Sequence, residues 1–151
     1  MNKIEQFSGE YAFLSNFHPS IVFLDGHMYP TVENAFQAAK CLNAEDRAQF
    51  ATLTPGQAKR LGRKITLRPD WDEYRVQVMR DLALQKFRHH AELQEKLLAT
   101  GDATLVEGNW WHDTFWGVCD GVGQNNLGQI LMSVRGILRD ERAMMERACR
   151  D

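Results

Sequence analysis

TVENAFQAAK, residues 31–40, decides how this chain reads. Val32, Ala35, Phe36 and Ala39 fall on the i, i+3, i+4, i+7 template of an amphipathic helix, with Thr31 as N-cap and Pro30 marking its start. The same register sets Glu33, Gln37 and Lys40 in a polar row, with Glu33 and Lys40 about 20° apart in azimuth and about 10 Å apart along the axis. Such a pair can grip opposite ends of one small ligand. The competing reading is a solvated face with an acid in the first turn, which the helix dipole favours. Against it stands position: the row abuts the apolar seam instead of lying opposite it. At the edge of a core, acids and lysines shift their pKa values toward those that general acid/base or nucleophilic chemistry needs.

Outward from this helix the chain alternates signals of helix and turn. Toward the N-terminus, residues 4–30 mix aromatic and small polar residues, and Asp25-Gly26 inside IVFLDGHMYP predicts an antiparallel hairpin. Toward the C-terminus, Asn43 caps a short helix to about Leu53, and Thr54-Pro55 opens another that Gly62 interrupts. Pro69-Asp70 starts what reads as the longest helix, running to about Arg88 with Trp71, Tyr74, Val78 and Leu82 on its stripe. A shorter helix over Ala91 to Thr100 ends at Gly101. ATLVE at 103–107 predicts a strand paired with the N-terminal hairpin, and Leu127 to about Arg147 a final helix whose charged end, RDERAMMERACRD, leaves the core. The fold class is mainly α (α+β): compact and helical, with a small antiparallel β element.

Composition narrows the possibilities. A chain of 151 residues with 44% hydrophobic content predicts one domain over 1–151. A formal charge of -2 argues against a protein that coats duplex nucleic acid. Cys41, Cys119 and Cys149 form no CxxC pair, so neither a disulfide framework nor a zinc site is signalled. The five histidines form no HExxH-type pair, and the expectation is no metal. No window approaches the roughly 20 apolar residues of a membrane span. A soluble, cytoplasmic protein with reduced thiols is expected, with Cys41 and Cys119 as small packing residues.

A second cluster, DTFWGVCDGVGQNNLG at 113–128, has the composition of a binding loop: two acids, a Trp, two Asn and four Gly. With the 31–40 helix it reads as the second wall of a polar pocket. Its glycines lack GxGxxG or Walker spacing, so they carry little phosphate signal, and Gly-rich turns are common without ligands. Trp110, Trp111, Phe115 and Trp116 crowd around His112 and Asp113. Aromatic density of that kind is core or a stacking surface; for Trp116 both readings stand, whereas Trp71 suits core. The run Lys59, Arg60, Arg63 and Lys64, with Arg68 beyond, is either a solvated face or a grip on phosphate oxygens.

At these residues the chain resembles the NADAR superfamily, which includes the YbiA-type N-glycosidases. The resemblance runs through FLSNF at 13–17, YPTVENAFQAAK at 29–40, Gly62-Arg63 and DWDEYRVQVMRDLALQKFRHHAELQEKLLAT at 70–100. It continues through DTFWG at 113–117, DGVGQN at 120–125 and LGQILMSVR at 127–135, and the order of these motifs is what makes it specific. The resemblance implies a compact, YbiA-like, mainly helical fold. It also implies hydrolysis of the C–N glycosidic bond of a ribose-phosphate or ADP-ribose-like substrate, without a cofactor. Two substrate classes are associated with the superfamily: phosphoribosylated pyrimidine intermediates of riboflavin synthesis, and ADP-ribose on guanine in nucleic acid.

Carried over position by position, the resemblance marks Glu33 and Lys40 on the helix and Asn16 and Phe17 in the N-terminal motif. In the loop it marks Trp116, Gly117 and Asp120, with Asn125 and Gly128 in the next turn. Cys119 departs from relatives that carry glycine there. The division of labour in a glycosidase assigns Glu33 to the oxocarbenium-like sugar or its attacking water, and Asp120 or Asp113 to the sugar hydroxyls or leaving group. Gln37 and Asn125 would orient the ribose, Arg60 and Arg63 would hold phosphate, and Trp71 and Trp116 would join them as substrate-binding residues. Lys40 has two roles open: a charged grip, or an amine attacking the anomeric carbon to hold the opened sugar as an imine. The partner implied is a small ribosyl-phosphate or ADP-ribosyl molecule, or ADP-ribosylated DNA or RNA ends, away from any membrane. The competing class is a non-catalytic module that binds NAD or ADP-ribose.

Overall fold

The computed structural model describes residues 2–150. In chain order the elements are β1 (Lys3–Ile4), a 3-10 helix (Gly9–Leu14), β2 (Val22–Leu24), β3 (His27–Tyr29), α1 (Val32–Ala38), α2 (Ala44–Ala48), a second 3-10 helix (Gln49–Thr52), α3 (Pro55–Gly62), α4 (Trp71–His89), α5 (Ala91–Ala99), β4 (Thr104–Leu105) and α6 (Asn126–Arg150). The class is mainly helical α+β, as the periodicity predicts. Two compact units divide the chain: one is Ser15–Lys86, the other is the chain up to Leu14 together with the chain from Phe87.

In the Ser15–Lys86 unit, the predicted hairpin forms between β2 and β3. Asp25 (φ 49°) and Gly26 (φ 82°) both take left-handed backbone, the turn whose twist matches that of the strands it joins. Val22, Leu24 and Tyr29 point into the core, while Phe23 and Met28 point out. The edge of β2 is closed by the Gln85 amide of α4: its Oε1 accepts from Phe23 N–H at 2.5 Å and its Nε2 donates to Phe23 O at 2.9 Å. Buried Arg47 is satisfied by an ion pair with Asp25 and by donating Nε–H to Cys41 O at 2.9 Å.

Thr31 caps α1 as predicted, its Oγ1 accepting from Asn34 N–H at 3.0 Å. All seven residues of α1 are buried. The Asn34 amide donates to Phe50 O and Leu53 O, both at 2.8 Å, and so fastens the second 3-10 helix to α1. α1 stops short of the predicted Lys40. Lys40 N–H bonds to Gln37 O (3.2 Å) and Cys41 N–H to Ala38 O (3.0 Å), an i to i+3 tightening that turns Lys40 out of the helix. α3 starts at a complete capping box, Thr54 with Gln57, and Pro55 occupies its first turn. Near the end of α4, Lys86 is 1% exposed and donates Nζ–H to Ser15 O at 3.0 Å.

In the other unit, β4 forms within the predicted 103–107 run but pairs in parallel with β1, Ile4 opposite Leu105, instead of joining the hairpin. The hairpin's outer edge is already taken by Gln85. Residues 9–14, read as part of a β region, form a 3-10 helix that buries Phe13 and Leu14. Phe13 packs edge-on against Phe87 with ring centroids 6.4 Å apart. The longest helix is α6, with 25 residues, and not α4, with 19. Its charged end stays helical because it is laced to its neighbours: Arg142 pairs with Glu95 at 2.7 Å and Arg88 with Glu141 at 2.5 Å. Arg147 and Arg150 sit in the last turn, where the dipole favours cations.

Candidate functional site

The predicted polar row survives as a buried one. Glu33 is 7% exposed and Gln37 is 5% exposed, so the solvated-face reading fails for both. Gln37 Nε2 donates to Glu33 Oε2 at 2.7 Å, which fixes the amide and holds the carboxylate by a charge-assisted bond. Glu33 N–H in turn bonds to Asn16 O at 3.1 Å, tying the acid's backbone to the FLSNF segment. Gln37 Oε1 is buried without a hydrogen-bond partner among the described residues. Unsatisfied buried acceptors are rare enough in folded proteins to mark a position held for something other than stability.

Lys40 lies half-buried at the end of this row, with Nζ 3.4 Å from Gly62 O and 5.9 Å from the Trp71 ring centroid. Burial pushes its pKa below the ordinary lysine range. The Glu33 charge pulls the other way, and Arg63 and Lys59 add to the lowering. The amine is therefore electrostatically coupled to the acid seven residues before it while standing outside the helix that carries the acid. Trp71 is buried and packs its ring 5.1 Å from Phe36, so it forms a wall beside the amine as well as part of the core.

Gly62 ends α3, and the sequence around it carries no local signal of its contact. A Cβ there would collide with Gln37 Oε1 and stand 2.8 Å from Gln37 Cδ and 3.4 Å from Lys40 Nζ. The missing side chain makes the room in which Gln37 and Lys40 lie. Asn16 and Phe17, both predicted, lie in this unit. Asn16 Nδ2 reaches Met79 Sδ at 3.5 Å, and the 40%-exposed Phe17 has Lys59 Nζ 5.9 Å from its ring. Arg60 and Arg63 are exposed. Arg68, grouped with them in the sequence, is engaged by the Asp70 carboxylate at 2.6 and 3.1 Å and stacks 4.0 Å from the Tyr74 ring.

The loop candidates belong to the other unit and are held by a dense set of turns. Asp113 Oδ1 accepts from Phe115 N–H (3.2 Å) and Trp116 N–H (2.9 Å), and Trp116 is half-buried with Phe115 perpendicular to it, centroids 4.8 Å apart. Asp120 is exposed at φ 51° in a tight Asp-Gly turn closed by Cys119 N–H to Val122 O at 2.9 Å. Asn125 spans the base of the loop, its Oδ1 accepting from Glu107 N–H (3.0 Å) and its Nδ2 donating to Leu105 O (2.9 Å). Its amide is thus a clasp of the loop. Gly128 lets that clasp close, since a Cβ on it would meet Leu105 O and the Asn125 amide. Gly117 packs against Glu107, a half-buried carboxylate whose place at the end of the 103–107 run gives no local signal of this contact. Asn109 Nδ2 lies 3.3 Å from that carboxylate's Oε2.

Among the described residues no helix is long and apolar enough to cross a membrane. Comparison with known proteins places this arrangement in a family. The NADAR domain model matches residues 4–139. An N-glycosidase of Nostoc punctiforme is 42% identical over 137 residues, covering 86% of this chain and 87% of that protein. N-glycosidase YbiA of Escherichia coli is 40% identical over 139 residues, covering 89% and 86%. A riboflavin biosynthesis protein of Vibrio vulnificus is 39% identical over 142 residues, which are 86% of this chain and 36% of that longer protein. The NMR structure of Escherichia coli YbiA matches with TM-score 0.81 and 36% identity, covering 95% of this chain and 92% of that one. On a match that spans most of its length, the chain belongs to the NADAR domain family, alongside relatives named as N-glycosidases.

Proposed function

We propose that this protein is an N-glycosidase that hydrolyses the C–N glycosidic bond of a ribose-phosphate or ADP-ribose-like substrate. The observation that carries the reading is the buried Glu33 carboxylate, fixed by Gln37 at 2.7 Å and coupled to an amine whose pKa burial lowers. Cleaving such a bond builds positive charge at the anomeric carbon, and a buried, oriented carboxylate stabilises that charge more than a hydrated one can. Glu33 is the anion at the sugar or the base that activates water. Lys40, whose pKa burial lowers, is suited to attack the anomeric carbon as an amine. In that step a C–N bond forms to Lys40 as the bond to the departing base breaks. The proton that the attacking nitrogen sheds goes to the departing base, ring opening gives an imine, and water then releases the sugar and restores the amine.

Arg60 and Arg63 supply cations for phosphate, and Trp71 walls the sugar side. Asp113 works through the loop it organises, while Asp120 is the more exposed acid. The relatives named for riboflavin biosynthesis favour a phosphoribosylated pyrimidine intermediate, with ADP-ribosylated guanine at nucleic-acid ends as the second substrate class. Both substrates are phosphorylated and membrane-impermeant, in keeping with work in the cytoplasm. The test is mass spectrometry of products after incubating the protein separately with ADP-ribosylated-guanine DNA and with the phosphoribosylated pyrimidines. A released base in one tube names the branch. Intact substrates in both, with binding retained, would leave a non-catalytic ADP-ribose-binding module in place of the enzyme.

A further inference from the structure

We propose that Gln37 is a positioning residue for Lys40: its amide bridges acid and amine, with Nε2 on the Glu33 carboxylate and Oε1 as the acceptor that takes an N–H of Lys40 and turns the amine toward the substrate. The use of that amine rests on the N-glycosidase reading; the bridge itself does not. Nε2 donates to Glu33 Oε2 at 2.7 Å, which holds the amide one way round. With the nitrogen engaged there, the oxygen is directed elsewhere, and it is buried without a hydrogen-bond partner among the described residues. A buried acceptor left unpaired is costly, so its position calls for a donor.

Gly62 shows where that donor stands. Of the three heavy atoms nearest to the point where a Gly62 Cβ would lie, two are Gln37 Oε1 and Cδ, and the third is Lys40 Nζ at 3.4 Å. Oε1 and Nζ thus border one small space, which glycine leaves open. Nζ lies 3.4 Å from Gly62 O, a long hydrogen bond that leaves the other N–H groups of the amine for further acceptors. The Lys40 main chain is pinned, its N–H bonded to Gln37 O at 3.2 Å and its O accepting from Arg68 N–H at 2.9 Å. The amine therefore moves by rotation of its own flexible stem, and a rotation toward α1 sets Nζ on Oε1. With one N–H on Oε1 and one on Gly62 O, a neutral amine keeps its lone pair facing away from both, as an attacking amine must. An acceptor for the charged form also opposes the lowering of the Lys40 pKa by burial. The titratable and charged groups that act on Lys40 are Glu33 of α1, Cys41 beside it in the chain, Lys59 of α3 and Arg63 at the end of α3, while α4 presents the uncharged Trp71 ring.

The test is competitive labelling with trace acetic anhydride across pH, read on the Lys40 peptide by mass spectrometry, which follows the Lys40 titration without any substrate. In Gln37→Met, shown to be folded by its thermal melt, the labelling midpoint should move to lower pH. On the substrate that wild type cleaves, kcat should fall roughly 10- to 100-fold with KM little changed. Gln37→Asn keeps an amide too short to span acid and amine, should move the midpoint the same way, and carries the test if Gln37→Met does not fold. An unchanged midpoint in a folded variant overturns the proposal. So does a midpoint moved to higher pH, which would mean that Gln37 keeps Glu33 away from the amine, and so does a lowered midpoint with full kcat. A lowered midpoint in a protein whose wild type cleaves no substrate supports the bridge while removing the enzyme.

Discussion

Gln37 folds its side-chain amide into the space that a Cβ on Gly62 would occupy. The contact joins the end of α3 to the last turn of α1, where Gln37 Nε2 lies on the Glu33 carboxylate. Gly62→Ala must therefore push Gln37 off its acid. The expected outcome is a stability loss of about 1–3 kcal/mol from overpacking, with kcat/KM falling on the order of 10- to 100-fold as the carboxylate loses its orientation. Thermal melts and steady-state kinetics check both. If Gly62→Ala is destabilised but retains full kcat/KM, the Gln37–Glu33 bond does not serve the reaction.

Lys40 is assigned an attacking amine, and the neutral form is the one that attacks. The rate should rise with pH and level off once the amine has lost its proton, below the pH range of an ordinary lysine because burial lowers its pKa. Cyanoborohydride added during turnover should trap a sugar on the protein, and Lys40→Arg, which keeps the charge but cannot form the imine, should abolish both adduct and activity. Activity that falls as pH rises through the Lys40 titration, with no adduct, would make Lys40 a charged grip on phosphate or hydroxyl instead.

Burial lowers the pKa of the Lys86 amine, which donates to Ser15 O, to about 7. Below about pH 7 the amine is charged in both the folded and unfolded chains, and the folded state carries the full cost of the buried charge. As pH rises from about 7 toward the ordinary 10.5, the unfolded chain keeps a proton the folded one has released, so stability rises with pH over that window. The slope from this group is at most about 1.4 kcal/mol per pH unit. Urea unfolding of Lys86→Met should show that rise removed. Equal slopes in the two proteins would mean that Lys86 does not titrate there.

The two loop acids should separate by mutation. Asp120 is exposed at positive φ, so Asp120→Gly relieves backbone strain and keeps the turn, and any loss of rate reports chemistry alone. Asp113→Ala strips two backbone N–H groups of their acceptor and should cost about 1–3 kcal/mol of stability together with activity. If Asp113→Ala melts as wild type does, the turn at Phe115 and Trp116 does not depend on that carboxylate.

What the sequence discloses here is what local chemistry encodes. Thr31, Asn43 and the Thr54–Gln57 box announce helix starts because a cap is a bond between near neighbours, and Asp25-Gly26 announces a hairpin because its backbone demands residues that tolerate positive φ. The i, i+4 register likewise puts Glu33 beside Gln37 before any tertiary contact is known. Long-range matters stay hidden. Nothing near residue 62 says that its missing side chain serves Gln37, and nothing near residue 125 says that the Asn125 amide will clasp Leu105 and Glu107. Nothing near residue 105 says that β4 will pair with β1, and nothing near Phe23 says that Gln85, sixty-two residues away, will close the edge of β2. The length of α6 depended on ion pairs to α4 and α5 that a helical pattern cannot show.

The central claim is that the buried Glu33 carboxylate carries the cleavage of an N-glycosyl bond. Single-turnover release of the base from the phosphoribosylated pyrimidine and ADP-ribosylated-guanine substrates, by wild type and by Glu33→Gln with matching thermal melts, tests it most directly. Glu33→Gln keeps the size of the side chain and one acceptor oxygen for Gln37 while removing its charge. The account predicts that the substrate wild type cleaves is released by the variant roughly 10²- to 10⁴-fold more slowly, with binding retained. Release at the wild-type rate by folded Glu33→Gln would contradict it.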